Sequence, residues 1–305
     1  LLKGTIDCPD LPLNVSRSFL QKDKDVIKIS KHIVKKVADK LVSLYKNERD
    51  NFNGFWKDIQ IFVKYGCLRD ESFYEKIKDI IIFKRLNGEY ITLKEYLEEN
   101  KEKHENKVFY VTDEKQQSQY IKMFKEANLD ALVLDCSLDN HFISFLEAKE
   151  TGVTFARIDS DISETLKNND TEDLKDLNEK IKNLFNEVIS NGVKEVKVES
   201  LKNTETPAMI LVSEQSRRMI EMSKMFGGMD MPDMFKEERT LVINNNNPII
   251  KKIASIDLEG KEEKVNLICN YILDLALLSN KELSSEEMDN FIDRSNKLLN
   301  IVIGL

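Results

Sequence analysis

Apolar residues in the first third of the chain recur at helical spacing. Ile29, Ile33, Val37, Leu41 and Leu44 follow steps of four and three, which lines them along one side of an amphipathic helix. Lys, Asp and Ser fill the other faces. Phe55, Trp56, Ile59 and Phe62 mark a second helix over Phe52–Val63, and Gly66 stands where a helix end is expected. A third helix starts at Asp70 and runs through Phe73, Ile77 and Ile80. A turn at Asn87-Gly88 then leads to Thr92, placed to cap the helix LKEYLEEN.

The pattern then changes. Val108–Thr112 (VFYVT), Ala131–Asp135 (ALVLD) and Val153–Ile158 (VTFARI) are short runs rich in β formers, separated by helical segments, the second centred on Phe142, Phe145 and Leu146. Strand alternating with helix at this spacing predicts a small parallel sheet with helices packed on it. The polar stretch Ser160–Asp176 reads as a boundary or hinge. Beyond it come a helix (Leu177, Ile181, Leu184, Val188), strands at Val193–Val198 and Ala208–Val212, a Met-rich segment, a strand at Leu241–Ile243 and long helices. The predicted fold class is a multidomain mixture of α+β and α/β: mostly helical 1–98, a small parallel α/β block 99–171, and an α+β block 172–305 ending in helices.

With 305 residues the chain is long enough for two or three domains, each with its own core. Its net charge of −8 discourages binding to phosphate backbones, so nucleic acid is not expected as a partner. No run approaches the ~18 apolar residues of a membrane-spanning helix, and no signal pattern opens the chain, so no membrane association is expected. The chain opens on Leu1 in what reads as mid-strand, as expected of a piece of a longer protein. Cys8, Cys67, Cys136 and Cys269 are scattered, without a C-x-x-C pair or metal-ligand spacing. They read as reduced thiols of a cytoplasmic protein, and no metal site is expected.

Candidate chemistry is sparse. There is no G-x-x-x-x-G-K-[ST] and no G-x-G-x-x-G, so no phosphate cradle is expected here. His32, His104 and His141 have no nucleophile motif beside them. Asp113 and Asp135 close consecutive strands, where an acidic site would lie in a parallel sheet; the competing reading makes Asp113 a helix cap and Asp135 the start of a turn. Six of the nine methionines fall between Met219 and Met234. Met219, Met222 and Met225, with Phe226 four residues after Met222, drift along one side of a helix before Gly227-Gly228. Flexible thioethers suit surfaces that accept many apolar shapes, although such a stripe also suits a core. At the end of the chain, Met288, Ile292, Ser295, Leu299 and Val302 keep 4-3-4-3 spacing, after a helix with Val265, Ile268, Ile272, Leu275 and Leu278. Two such helices would pack either within the monomer or against their copies in a four-helix dimer contact. A scaffold or dimerisation module for one defined protein partner is the alternative function.

One segment carries more. Ile6-Asp7, then Asp10-Leu11-Pro12-Leu13-Asn14-Val15-Ser16-Arg17, then Leu20-Gln21 resemble the signature loop of the ninety-kilodalton heat-shock protein chaperones. FWKDIQIFVKYGCLRDESF, YITLKEYLEENK, KVFYVTDEKQQ, ALVLD and RTLVINNNNPII follow in the family's order, so the resemblance spans essentially the whole chain. It implies a chain that begins inside the family's middle domain, with 1–98 the helical part bearing the catalytic loop, 99–171 the small α/β subdomain and 172–305 the dimerisation domain. ATP and Mg²⁺ would then bind a preceding domain, with no cofactor held by this chain. The resemblance also implies that Arg17 reaches the γ-phosphate as an arginine finger, with Gln21 and Asn14 in the same loop. It assigns Met219, Met222, Met225 and Phe226 to contact with unfolded client proteins. His141 and Ser144 match a further client-contact position, where the family commonly carries a large aromatic. Ile268, Ile272, Leu275, Ile292, Leu299 and Val302 match a homodimer seam. The ending IVIGL matches neither the acidic co-chaperone motif nor the retention signal of other members, which favours a bacterial or organellar form.

Overall fold

Three helices open the described chain: α1 (Lys24–Asn47), α2 (Arg49–Arg69) and α3 (Glu71–Ile77), the last tightening into a 3₁₀ turn over Lys78–Ile80. This computed structural model describes residues 24–304 except 163–165, 169–173, 190–191 and 226–237, and leaves out the side chains of 220–225. Two compact units divide the chain. One contains the residues up to Ile82 with Thr92–Lys94 and Cys136–Phe145; the other contains Phe83–Ile91, Glu95–Asp135 and everything from Leu146 onward.

In the first unit, α2 does not stop at Gly66 as its sequence suggests but continues to Arg69. Gly66 serves close packing instead, because a Cβ there would lie 2.8 Å from Cε1 of Phe73 on α3. The break comes at Asp70, whose carboxylate accepts from the Ser72 and Phe73 amides at 2.9 and 3.2 Å and caps α3. The Ser72 hydroxyl and these amides hold the Asp70 carboxyl below its usual range. Phe52, Trp56, Tyr74 and Ile77 are buried here, and the Phe52 and Trp56 rings lie 5.4 Å apart.

The sheet of the α/β part has five strands in the order β2-β1-β4-β3-β5: β1 (Ile82–Arg85), β2 (Tyr90–Thr92), β3 (Lys107–Val111), β4 (Leu132–Val133) and β5 (Thr154–Arg157). As the spacing predicts, β3 runs parallel to β4 and β5. The β1–β2 hairpin is new. The sequence pattern gives only the Asn87-Gly88 turn between Ile80 and Thr92, yet two strands flank that turn, with Gly88 at φ +89° and β1 antiparallel to β4. Helices α4 (Leu93–His104), α5 (Ser118–Glu126) and α6 (Asp139–Lys149) complete this part.

After α7 (Lys175–Asn186), a three-stranded sheet is ordered β6 (Val193–Glu199), β8 (Arg239–Asn244), β7 (Ala208–Val212). β7 is buried on both sides, and its alternation sorts residues between two cores. Met209 and Leu211 join Phe109, Tyr120, Phe124 and Ile158. Ala208, Ile210 and Val212 instead join residues of α7, of α9 (Pro248–Ser255) and of α10 (Glu262–Leu278). α8 (Glu214–Met225) follows β7, and α11 (Ser285–Ile303) ends the chain. Among the described residues the chain is thus a mixed α+β multidomain fold, as its patterning predicts.

Candidate functional site

Among the described residues, the client and seam candidates fall on four helices, α6, α8, α10 and α11. The loop residues Asn14, Arg17 and Gln21 lie outside the described residues, as does Phe226.

His141 and Ser144 stand one turn apart on α6. Phe142, Ile143 and Leu146 face the interior, which leaves His141 half-buried and Ser144 exposed, its hydroxyl donating to the Asn140 carbonyl at 3.0 Å. The start of α6 is fixed by a buried ion pair that the sequence pattern does not reveal. Lys64, 1% exposed, donates to Asp139 at 2.5 Å and to Gln60 at 2.7 Å, and the second Asp139 oxygen accepts the Cys136 amide at 2.9 Å. Lys64 lies on the inward face of α2, beside Val63 and Cys67, where periodicity alone predicts an apolar residue. Burial pushes the Cys67 thiol up to about 12, so it is a poor nucleophile.

α8 carries Met219, Met222 and Met225 on one continuous helix, and Met219 is 43% exposed. A charged network holds its first turn. Glu214 accepts from the Tyr110 hydroxyl at 2.7 Å, the Arg157 amide at 3.1 Å, Arg218 at 2.7 Å and Arg217 at 2.5 Å. Burial alone would raise the Glu214 carboxyl, but Arg217, Tyr110, the Arg157 amide and Arg218 outweigh it and hold it below its ordinary range. The spacing of Glu214 to Arg217 and Arg218 was the available signal for this cluster.

α11 is the most exposed candidate. Its start is well defined: Ser284 and Glu287 form a capping box, and Lys281 pairs with Glu287 at 2.7 Å. One side meets α10 through an Arg294–Asp274 pair at 2.5 Å and stacked Tyr271 and Phe291 rings. Yet none of its residues is buried, and Ile292, Leu299 and Val302 are 48, 59 and 80% exposed. On α10, Ile268 and Leu275 are half-buried. Ile272 departs from the expected seam: it lies in this chain's own core with Cys269 and Leu273, because its position on α10 faces β7 and α7.

Asp113 accepts the Lys115 and Gln116 amides at 2.9 and 3.0 Å, so its carboxylate shapes the turn before α5. Among the described residues, no three His, Cys, Asp or Glu side chains gather as a group that could hold a metal ion. No described helix is long and apolar enough to cross a membrane.

Comparison with known proteins decides the family. The model of the family described as "Hsp90 protein" matches residues 1–305. The chain belongs to the Hsp90 family. It is 31% identical to the chaperone protein htpG of Bacteroides fragilis strain YCH46, over 98% of this chain and 55% of that protein. It is 34% identical to HtpG of Porphyromonas gingivalis strain ATCC 33277, over 94% of this chain and 44% of that one. HtpG of Buchnera aphidicola is 31% identical over 98% of the chain and 48% of its own length. The chain therefore spans about half the length of the curated relatives it matches, and its likeness is to the bacterial, HtpG-type branch of this chaperone family.

Proposed function

We propose that this chain is the middle and carboxyl-terminal part of a cytoplasmic, homodimeric chaperone that captures unfolded or partly folded proteins. The observation that carries the reading is the outer side of α11. A nineteen-residue helix with a firm capping box and no buried residue has an apolar row left over for a second copy. Ile292, Leu299 and Val302 form that row, and Ile268 and Leu275 of α10 are assigned to the same seam as half-buried residues, Ile268 packing also against this chain's own core. Client contact is assigned to Met219, Met222, Met225 and Phe226, supported by the exposure of Met219, with His141 and Ser144 as a second contact. The family relatives are chaperones by name, which supports the client class without identifying a client.

ATP hydrolysis is assigned to a preceding domain rather than to this chain. ATP and Mg²⁺ belong to residues beyond it, to which Asn14, Arg17 and Gln21 would add a loop. In the full-length protein Arg17→Ala is expected to slow hydrolysis by ~10³-fold, as for an arginine finger. An unchanged rate would show that the loop is structural.

The deciding experiment measures anisotropy of a labelled protein, unfolded and native, with this chain and with its Met222→Ser/Met225→Ser variant. Preference for the unfolded form, lost in the variant, supports client capture on α8. Saturable binding of one native protein, with no preference for unfolded chains, would overturn it in favour of a scaffold.

A further inference from the structure

We propose that Glu147, Glu214 and Arg218 form an ionic latch that sets the pose of α8 and thereby tunes the capture of unfolded chains. The inference rests on the client reading of α8 given above.

The start of the helix that carries the methionines is held by charge rather than by apolar packing. Over residues 214–219, the part of α8 whose side chains are described, Arg217 alone is buried and no apolar side chain is. Other helices of the same unit differ: α7 and α10 are held by Ile181, Leu184, Phe185, Val265 and Leu273 in a common core. The start of α8 is fixed by the fork of Arg218. Its Nε donates to Glu214 at 2.7 Å, its two terminal nitrogens donate to Glu147 at 2.6 and 3.2 Å, and one of them also reaches the Phe155 carbonyl at 3.0 Å. Glu147 closes the ring by accepting the Phe155 amide at 2.7 Å.

Phe155 lies on β5, the last strand of the five-stranded sheet. Both of its backbone groups are thus taken by the latch, which joins α8 to the edge of the α/β sheet across 71 positions of sequence. Beneath it, Arg217 and the Tyr110 hydroxyl bond to each other and both reach Glu214. Arg157 is turned toward Asp159, to which it donates at 2.5 and 2.7 Å. A planar guanidinium shared by two carboxylates and a carbonyl is strongly directional, and a lysine ammonium cannot reproduce that fork. Arg218, Glu147 and Glu214 are positioning residues: they place the methionine side without touching a client. A helix held this way is ordered before the client arrives, and releasing it adds an ordering cost to binding.

The test uses the full-length protein, with Arg218→Gln, Arg218→Lys and the Met222→Ser/Met225→Ser variant. Hydrogen exchange reads the pose of α8, with α10 as the internal control for folding. Anisotropy reads affinity for fluorescein-labelled, reduced and carboxymethylated α-lactalbumin, a permanently unfolded probe. Arg218→Gln is expected to raise exchange across α8 by roughly tenfold with α10 unchanged, and to weaken probe binding by a similar factor. Arg218→Lys should fall between the two, because charge is kept and the fork is lost. Unchanged exchange in α8 overturns the latch. Faster exchange with unchanged probe affinity, while the methionine variant still binds weakly, overturns the tuning and leaves the client reading intact. If the methionine variant binds as wild type does, the client reading falls and takes the tuning with it, although the exchange data would still show the latch.

Discussion

The buried pair Lys64–Asp139 offers the sharpest quantitative test of how the first unit is built. Both side chains are almost fully enclosed, and the ammonium donates to Asp139 and to the Gln60 amide oxygen. Asp139→Ala takes the paired carboxylate from that charge and the acceptor from the Cys136 amide. Removing one partner of a buried ion pair costs about 3–5 kcal/mol, because the remaining charge stays desolvated. That is a large share of the roughly 5–15 kcal/mol that holds a domain folded. Lys64→Met/Asp139→Leu removes both charges and fills the space with apolar atoms, so it should be more stable than Asp139→Ala despite having one more substitution. The single tryptophan makes the assay local. Trp56 is buried on α2 in the same unit, so its fluorescence during urea denaturation follows this unit. A midpoint for Asp139→Ala equivalent to less than about 1 kcal/mol of loss, or a double variant weaker than the single one, would refute the reasoning.

Three further outcomes follow from the same geometry. In the proposed dimer, Leu299→Asp places a charge from each copy into the apolar row of α11 and should weaken association by about 3 kcal/mol, roughly a hundredfold; sedimentation velocity that still shows a dimer mass at low concentration would misplace the seam. Gly66→Ala puts a methyl 2.8 Å from the buried Phe73 ring and should destabilise by about 1–3 kcal/mol in thermal unfolding, whereas Gly54→Ala, with open space around it, should not lower the melting temperature. Asp70 is held below its usual range in the folded chain, so its contribution is present above the unfolded carboxylate pKa of about 4 and is lost as pH falls through the lower folded value. Asp70→Ala should therefore cost about 1 kcal/mol at neutral pH and less in acid; an equal loss at both would deny the cap.

The sequence determined those parts of this protein that are local. Helical spacing located α1, α7 and α10, runs of β formers located β3, β5, β6 and β7, and Asp70 marked its helix start by its own chemistry. The ordered motifs that resemble the heat-shock chaperones carried the family, because motif order survives where individual positions drift. Tertiary structure decided what depends on partners distant in the chain. The fragment IFKR has no assignment from periodicity and becomes a strand where β4 supplies an antiparallel neighbour for it. Ile272 and Ile292 share one apolar character in sequence, but one faces this chain's core and the other faces outward, since facing is set by what packs against a helix. Lys64 sits on an inward face that periodicity reserves for apolar residues, and its pairing with Asp139, 75 positions away, helps make its charge tolerable there. Likewise Glu147, on a different helix from α8, becomes its anchor only once β5 brings the two together. Periodicity reports which residues avoid water; long-range electrostatic partners leave no periodic trace, because one charge needs one other charge at one place in space.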